Sequence, residues 1–266
     1  MKIQSMHNEK GVTLVELLVA LVIAAITLAG VYRVFISQTK TYAVQDQVVE
    51  VQQSVRSAMD VILRDLRMTG FDDDNPASEL AGVKIPTAIR FNSTSPYLDG
   101  DRITINYEYC NKTDPSNPVY EKHTVVYWVD ANSNLRRKRI INEDPSHYSS
   151  ANPYVICHDP AQSDQCPEII LQNVNVDPAN PIFRYGIDTH NNGMMDDQNG
   201  DGVITAADYL NPNPGYDDSK ILSNTKVVAI RVALTGGPNP TNVDVAEVVS
   251  PRNLVSAVTL RNICLR

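Results

Sequence analysis

The densest run of ligand-type side chains is Asp197-Gln198-Asn199-Gly200-Asp201-Gly202-Val203-Ile204-Thr205-Ala206-Ala207-Asp208. Asp197, Asn199 and Asp201 fall at the first, third and fifth positions of the twelve-residue calcium loop, where side-chain oxygens converge on a hard cation. Gly202 takes the sixth, where the chain turns sharply, and Val203 would offer its backbone carbonyl at the seventh. Ile204 should pack the loop down, and Thr205 should hold a water ligand. Asp208 stands at the twelfth position instead of the usual Glu, so its shorter stem should bind more weakly. Upstream, Asp188, Asn192, Gly193 and Asp196 suggest a second, incomplete acidic loop. Asn, Asp and Gly also favour plain turns, but turn chemistry alone does not set so many loop positions in order. The expectation is a structural calcium ion that orders a long loop, in a single site rather than a paired switch.

A second chemically loaded residue is Glu16, alone among apolar neighbours in Val12–Val31, VTLVELLVALVIAAITLAGV. A run of about 20 apolar residues is what a helix needs to cross the hydrocarbon layer. A carboxylate there costs at least about 2–3 kcal/mol and calls for a partner. Four cysteines, Cys110, Cys157, Cys166 and Cys264, are an even number, as two disulfides require in an exported chain. Three connectivities are open. The favoured one joins Cys157 to Cys166 and Cys110 to Cys264. A zinc site is a poor rival, since the sequence holds no CxxC pair.

Composition narrows the function. With 42% apolar residues the chain can build a core, and a net charge of −8 argues against a general nucleic-acid binder. The five His are scattered, and no GxSxG, Walker A or dinucleotide fingerprint appears. The chain therefore reads as a non-enzyme. Arg136-Arg137-Lys138-Arg139 splits between the two faces of a strand and reads as a charged, solvated sheet edge. Tyr107, Tyr109, Tyr120 and Tyr127 read as core and sheet residues.

The elements that would position these groups follow from periodicity. Val44, Val48, Val51, Val55, Ala58 or Met59, Ile62 and Leu66 form one apolar stripe. Neither Pro nor Gly interrupts Val31 to Gly70, where Gly70 can close the helix. One helix should run from about Val12 to Thr69, roughly 85–90 Å. Its stripe should dock on the chain's own strands, a coiled-coil partner being the alternative. After a connector over 71–100, strands are expected at Arg102–Tyr109, Thr124–Val129, Leu135–Ile141, Ile169–Val176, Ile182–Tyr185, Val227–Leu234, Val243–Val249 and Ala257–Cys264. The fold class is α+β, with an antiparallel sheet packed on the helix.

Gly11-Val12-Thr13-Leu14-Val15-Glu16-Leu17-Leu18-Val19-Ala20-Leu21 resembles the class III signal of type IV pilins and type II secretion pseudopilins. The resemblance implies that prepilin peptidase cuts between Gly11 and Val12 and methylates the new amine of Val12. Glu16 then becomes the fifth mature residue, and would pair with the terminal amine of a neighbouring subunit. Val12 replaces the usual Phe, and the helix-kinking Pro is absent. The strand beginning Asp101-Arg102-Ile103-Thr104, the segment Ile182–Asp188 and the tail Val258–Asn262 further resemble PilW-type minor pilins and secretion pseudopilin J. The implied layout is pilin-like: a cleaved leader at 1–11, a helix at 12–69 that spans the membrane over 12–32, and a β-rich body at 70–266 with a calcium-loop insertion near 186–218. The implied partners are prepilin peptidase, other minor and major pilins through helix packing, the inner-membrane assembly platform and a tip adhesin. Before assembly the leader would be cytoplasmic and the body periplasmic; afterwards the chain would sit in the pilus at the cell surface. The implied role is a minor pilin of the priming or tip complex. The alternatives are a minor pseudopilin of a type II secretion system and a pilus-borne DNA- or carbohydrate-binding receptor.

Overall fold

A computed structural model describes residues 11–72, 89–90, 100–111, 119–141, 167–213, 226–238 and 248–260. Helix α1 spans Leu14–Met68, its N-terminus closed by Thr13 and its C-terminus by Thr69. Gly70 follows at φ 73°, in the left-handed region that glycine enters without strain. Its amide donates to the Asn106 carbonyl at 2.9 Å, so the chain turns from the helix directly onto the sheet.

The strands are β1 (Ile89–Arg90), β2 (Arg102–Asn111), β3 (Val119–Val129), β4 (Leu135–Ile141), β5 (Glu168–Leu171), β6 (Phe183–Asp188), β7 (Lys226–Gly236) and β8 (Arg252–Thr259). Among the described residues they form two antiparallel sheets rather than one, ordered β1-β2-β3-β4-β5 and β6-β7-β8. A single bridge between Val174 and Gly236 joins them. Both sheets bury their inner faces on the second half of α1. Val51, Val55, Ala58, Met59, Ile62 and Leu66 share one core with Ile105, Tyr127, Phe183 and Ile230. The apolar stripe thus docks on the chain's own sheets, as its short length implied.

Several boundaries differ from expectation. The 71–100 connector contains the short β1. Strand β3 starts five residues before Thr124, and β8 begins at Arg252 rather than Ala257. Strand β5 stops at Leu171, because Asn173 turns with φ 53° and leaves only Val174 to bridge. Val248 and Val249 lie in a turn and bend before β8; the rest of the expected Val243–Val249 strand lies outside the described residues. Strand β4 matches Leu135–Ile141 and is no sheet edge: it sits between β3 and β5. Its basic run is held by pairing as well as by solvent, since Arg136 meets Asp130 and Arg137 turns inward. Tyr107 and Tyr127 are core residues, whereas Tyr109 is exposed. The side chain of Tyr120 lies outside the described residues, as do Cys157, Cys166, Cys264 and the Cys110 side chain; Cys110 is placed only by its backbone in β2.

Candidate functional site: the bare helix and its junction with the body

Among the described residues, nothing packs against the first half of α1. Every side chain from Val12 to Tyr42 is exposed, including Leu28, Phe35 and Tyr42 at 68%, 64% and 63%. The helix is long and apolar enough to cross a membrane, and its most apolar window has no part buried in the protein. Thr27 donates its hydroxyl to the Ile23 carbonyl at 2.8 Å, so it needs no water.

Gly11 and Val12 precede the helix in exposed chain, while residues 1–10 lie outside the described part. Glu16 sits on the first turn and closes a reciprocal cap. Its amide donates to the Thr13 hydroxyl at 3.3 Å, and its carboxylate accepts from the Thr13 amide at 3.3 Å and hydroxyl at 3.2 Å. A carboxylate at this end is favoured by the helix dipole and by the unpaired amides of the first turn. Within one chain Glu16 thus has local donors and, among the described residues, no cation.

The other end of α1 is fixed by a buried polar cluster that sequence reading missed. Asp65, 4% exposed, accepts from the Tyr127 hydroxyl at 2.5 Å and from Arg137 Nε at 2.7 Å. Arg137 also donates to Glu168 at 2.6 Å. Burial works against the Arg137 charge, but hydrogen bonding and attraction to Asp65 outweigh it and hold the guanidinium protonated. Burial, with Asp65 beside it, drives the Tyr127 phenol upward. The cluster ties the helix to β3, β4 and β5. The available signal was Asp65 itself, three residues from Ile62 and next to Leu66 on the buried stripe.

A second buried group is His123, which is paired with Glu121 at 3.0 Å and stacked on Tyr109 at 5.1 Å between ring centres. Burial lowers its pKa, against the opposing hydrogen bond to Glu121.

In the acidic loop, each side chain expected to bind a cation turns onto the loop's own amides. Asp197 accepts from Gly200 at 2.7 Å and Gly202 at 2.6 Å, Asn199 from Asp201 at 2.9 Å, and Asp201 from Val203 at 2.8 Å. Gly200 and Gly202 take φ of 75° and 84°, which any side chain would strain. Buried Asp208 accepts from Gln198 and Asn199 on one oxygen and from Thr205 on the other. These bonds, the Thr205 amide foremost, hold its pKa below the ordinary carboxylate value. Thr205 caps a one-turn 3-10 helix at Ala206–Asp208. Ile204 does not pack the loop down; it is 49% exposed.

Among the described residues, no group of three or more His, Cys, Asp or Glu side chains is gathered to hold a metal. The donor set nonetheless suits a hard cation in type. It is all oxygen, and no Lys or Arg occurs from Gly186 to Asn213. The Asp197 oxygens and Asp201 Oδ1 each accept one amide and keep a second lone pair, while Asp208 would have to exchange bonds from Gln198, Asn199 or Thr205. The upstream group forms a separate turn: Asp188 accepts from Asn192 and Gly193, and Asp196 accepts from Thr189 and pairs with His190 at 2.9 Å.

Comparison with known proteins bears on the N-terminus. The model of the prokaryotic N-terminal methylation motif matches residues 6–32, covering the Gly11–Val12 junction, Glu16 and the bare helix as far as Tyr32. No curated protein and no solved structure matches the chain. The chain therefore carries the class III signal of type IV pilin-like proteins on an α+β, pilin-like architecture. That motif implies processing by prepilin peptidase, membrane anchoring and assembly with other pilins.

Proposed function

We infer that this protein is a minor pilin of the PilW type, a structural subunit that enters a type IV pilus in its priming or tip complex. The observation that carries the reading is a methylation motif placed on a helix half that its own chain leaves bare. A bare apolar rod is stable in lipid and, once withdrawn, against other rods of the same kind. After cleavage between Gly11 and Val12, Glu16 exchanges its local cap for the charged Val12 amine of a neighbour. Neutralising two charges away from water also fixes the axial register of the helices. In this reading the body at 70–266 faces other minor subunits and a tip adhesin, and it performs no catalysis. The experiment is a deletion in the source organism. Loss of surface pili with protein secretion intact supports the pilus role. Loss of secretion with pili intact assigns the chain to a secretion pseudopilus instead.

The loop at Asp197–Asp208 is a structural calcium site in the same reading. Asp197, Asn199, Asp201 and Asp208 would hold the ion by side-chain oxygens, Val203 by its carbonyl and Thr205 through water. Asp188, Asn192 and Asp196 supply the adjoining turn. At calcium a few times its dissociation constant, the ion should contribute about 1 kcal/mol, or about 2–4 °C in melting temperature. Superimposable melts in excess calcium and in chelator would remove the site.

A further inference from the structure

A groove of about 280 Å³ opens where α1 enters the body, between Gln47, Glu50 and Ser54 of the helix and the ends of β5 and β7. Its walls are fixed. Gly236 lies so near the helix that a Cβ there would stand 2.6 Å from Val55 Cγ2. The Gly237 amide donates to the Asn173 carbonyl at 2.8 Å, and the Asn175 amide to the Thr235 carbonyl at 2.9 Å. These contacts fix the strand side of the groove.

The groove is rich in acceptors and poor in cations. Gln47 Oε1 is shut off from solvent and receives no hydrogen bond, which costs stability until a donor reaches it. The Glu50 carboxylate stands on the next face position and forms no ion pair among the described residues. Among the described residues, no Lys, Arg or His lines the groove. A positively charged donor satisfies both groups together, and charge-assisted bonds are the stronger kind.

Position decides where that donor comes from. The exposed surface of α1 continues to Tyr42, turning polar over Ser37–Thr41, and ends five residues and about 7.5 Å short of Gln47. Cover begins at Ala43 and is complete at Val51. A chain packed along the bare helix meets this groove as the first feature of the body. Resting on the filament reading above, we propose that the groove receives a lysine or arginine side chain of a neighbouring filament subunit. Its N–H groups donate to Gln47 Oε1 and the Glu50 carboxylate.

The test uses the full-length chain in cells that assemble it, with the photo-cross-linking amino acid benzoylphenylalanine placed at Ser54 or, separately, at Leu28 on the bare helix. Both positions should yield adducts with other subunits, and the peptide joined to position 54 should contain Lys or Arg. Glu50→Lys should reduce the position-54 adduct about tenfold, the scale of one lost charge-assisted hydrogen bond, and leave the position-28 adduct intact. Adducts at 28 with none at 54, or a position-54 adduct indifferent to Glu50→Lys, overturn the groove proposal while the filament reading stands. Absence of subunit adducts at both positions overturns the filament reading, and this proposal with it.

Discussion

Glu16 and Asp65 sit on one helix, and both lie among apolar residues, yet the chain treats them oppositely. Asp65 is enclosed, and its partners Tyr127 and Arg137 come from strands of the same body. Glu16 is exposed and reaches only Thr13 in its own first turn. The difference shows which half of α1 is finished as a monomer. A buried acid whose partners are internal belongs to the fold. The acid on a bare apolar rod, beside a cleavage signal, is the one for which a partner in a neighbouring subunit is proposed.

The sharpest way to break this contrast is Asp65→Ala. It leaves Arg137, whose side chain is 13% exposed, with the exposed Glu168 as its acid and takes the acceptor from the buried Tyr127 hydroxyl. It should destabilise the body by about 3 kcal/mol in urea unfolding of the detergent-solubilised chain. Replacing Asp65 and Arg137 together by Leu and Met should recover much of that loss, because no orphaned charge remains. A double variant as unstable as the single one would mean that the cluster does more than satisfy itself.

Gly236→Ala comes next. Its Cβ would press on Val55, and the expected cost is about 1–3 kcal/mol by the same measurement. A neutral effect would show that the helix-to-sheet joint is looser than the fold implies.

A smaller effect concerns His123, which faces Glu121, Tyr107, Tyr109 and Arg139, with Asp65 acting at longer range. Its folded pKa lies below the ordinary value near 6.5, so the fold prefers neutral imidazole. The resulting stability is present above about pH 6.5 and is lost as pH falls toward the folded pKa. His123→Gln should flatten that acid limb; an unchanged pH profile would contradict the assignment.

The smallest stability effect belongs to Glu16→Ala. It should change body stability by no more than about 0.5 kcal/mol, as expected of a surface change. The same variant should still insert and be cut, yet fail to enter filaments. A large loss of body stability would erase the contrast with Asp65.

What was legible in sequence follows the same division. The helix ends were read to within two residues, because Gly70 and the apolar run are local signals. Strand β4 was bounded correctly between the Asp130–Asn134 turn and Ile141. The two-sheet split was not legible, since it depends on a left-handed Asn173 that ends β5, after which β6, β7 and β8 pair in sequence order as a sheet of their own. The Asp65 cluster was missed because its partners are 62 and 72 residues away. The acidic loop was found by spacing alone, but spacing did not reveal that Ile204 faces outward or that Asp208 is enclosed.

The central claim is that Glu16 stands near a new N-terminus. Mass spectrometry of the mature protein from its native membrane tests it most directly. The expected N-terminal peptide begins at methylated Val12, with residues 1–11 gone. A peptide that still carries Met1–Gly11 in assembling cells would contradict the account.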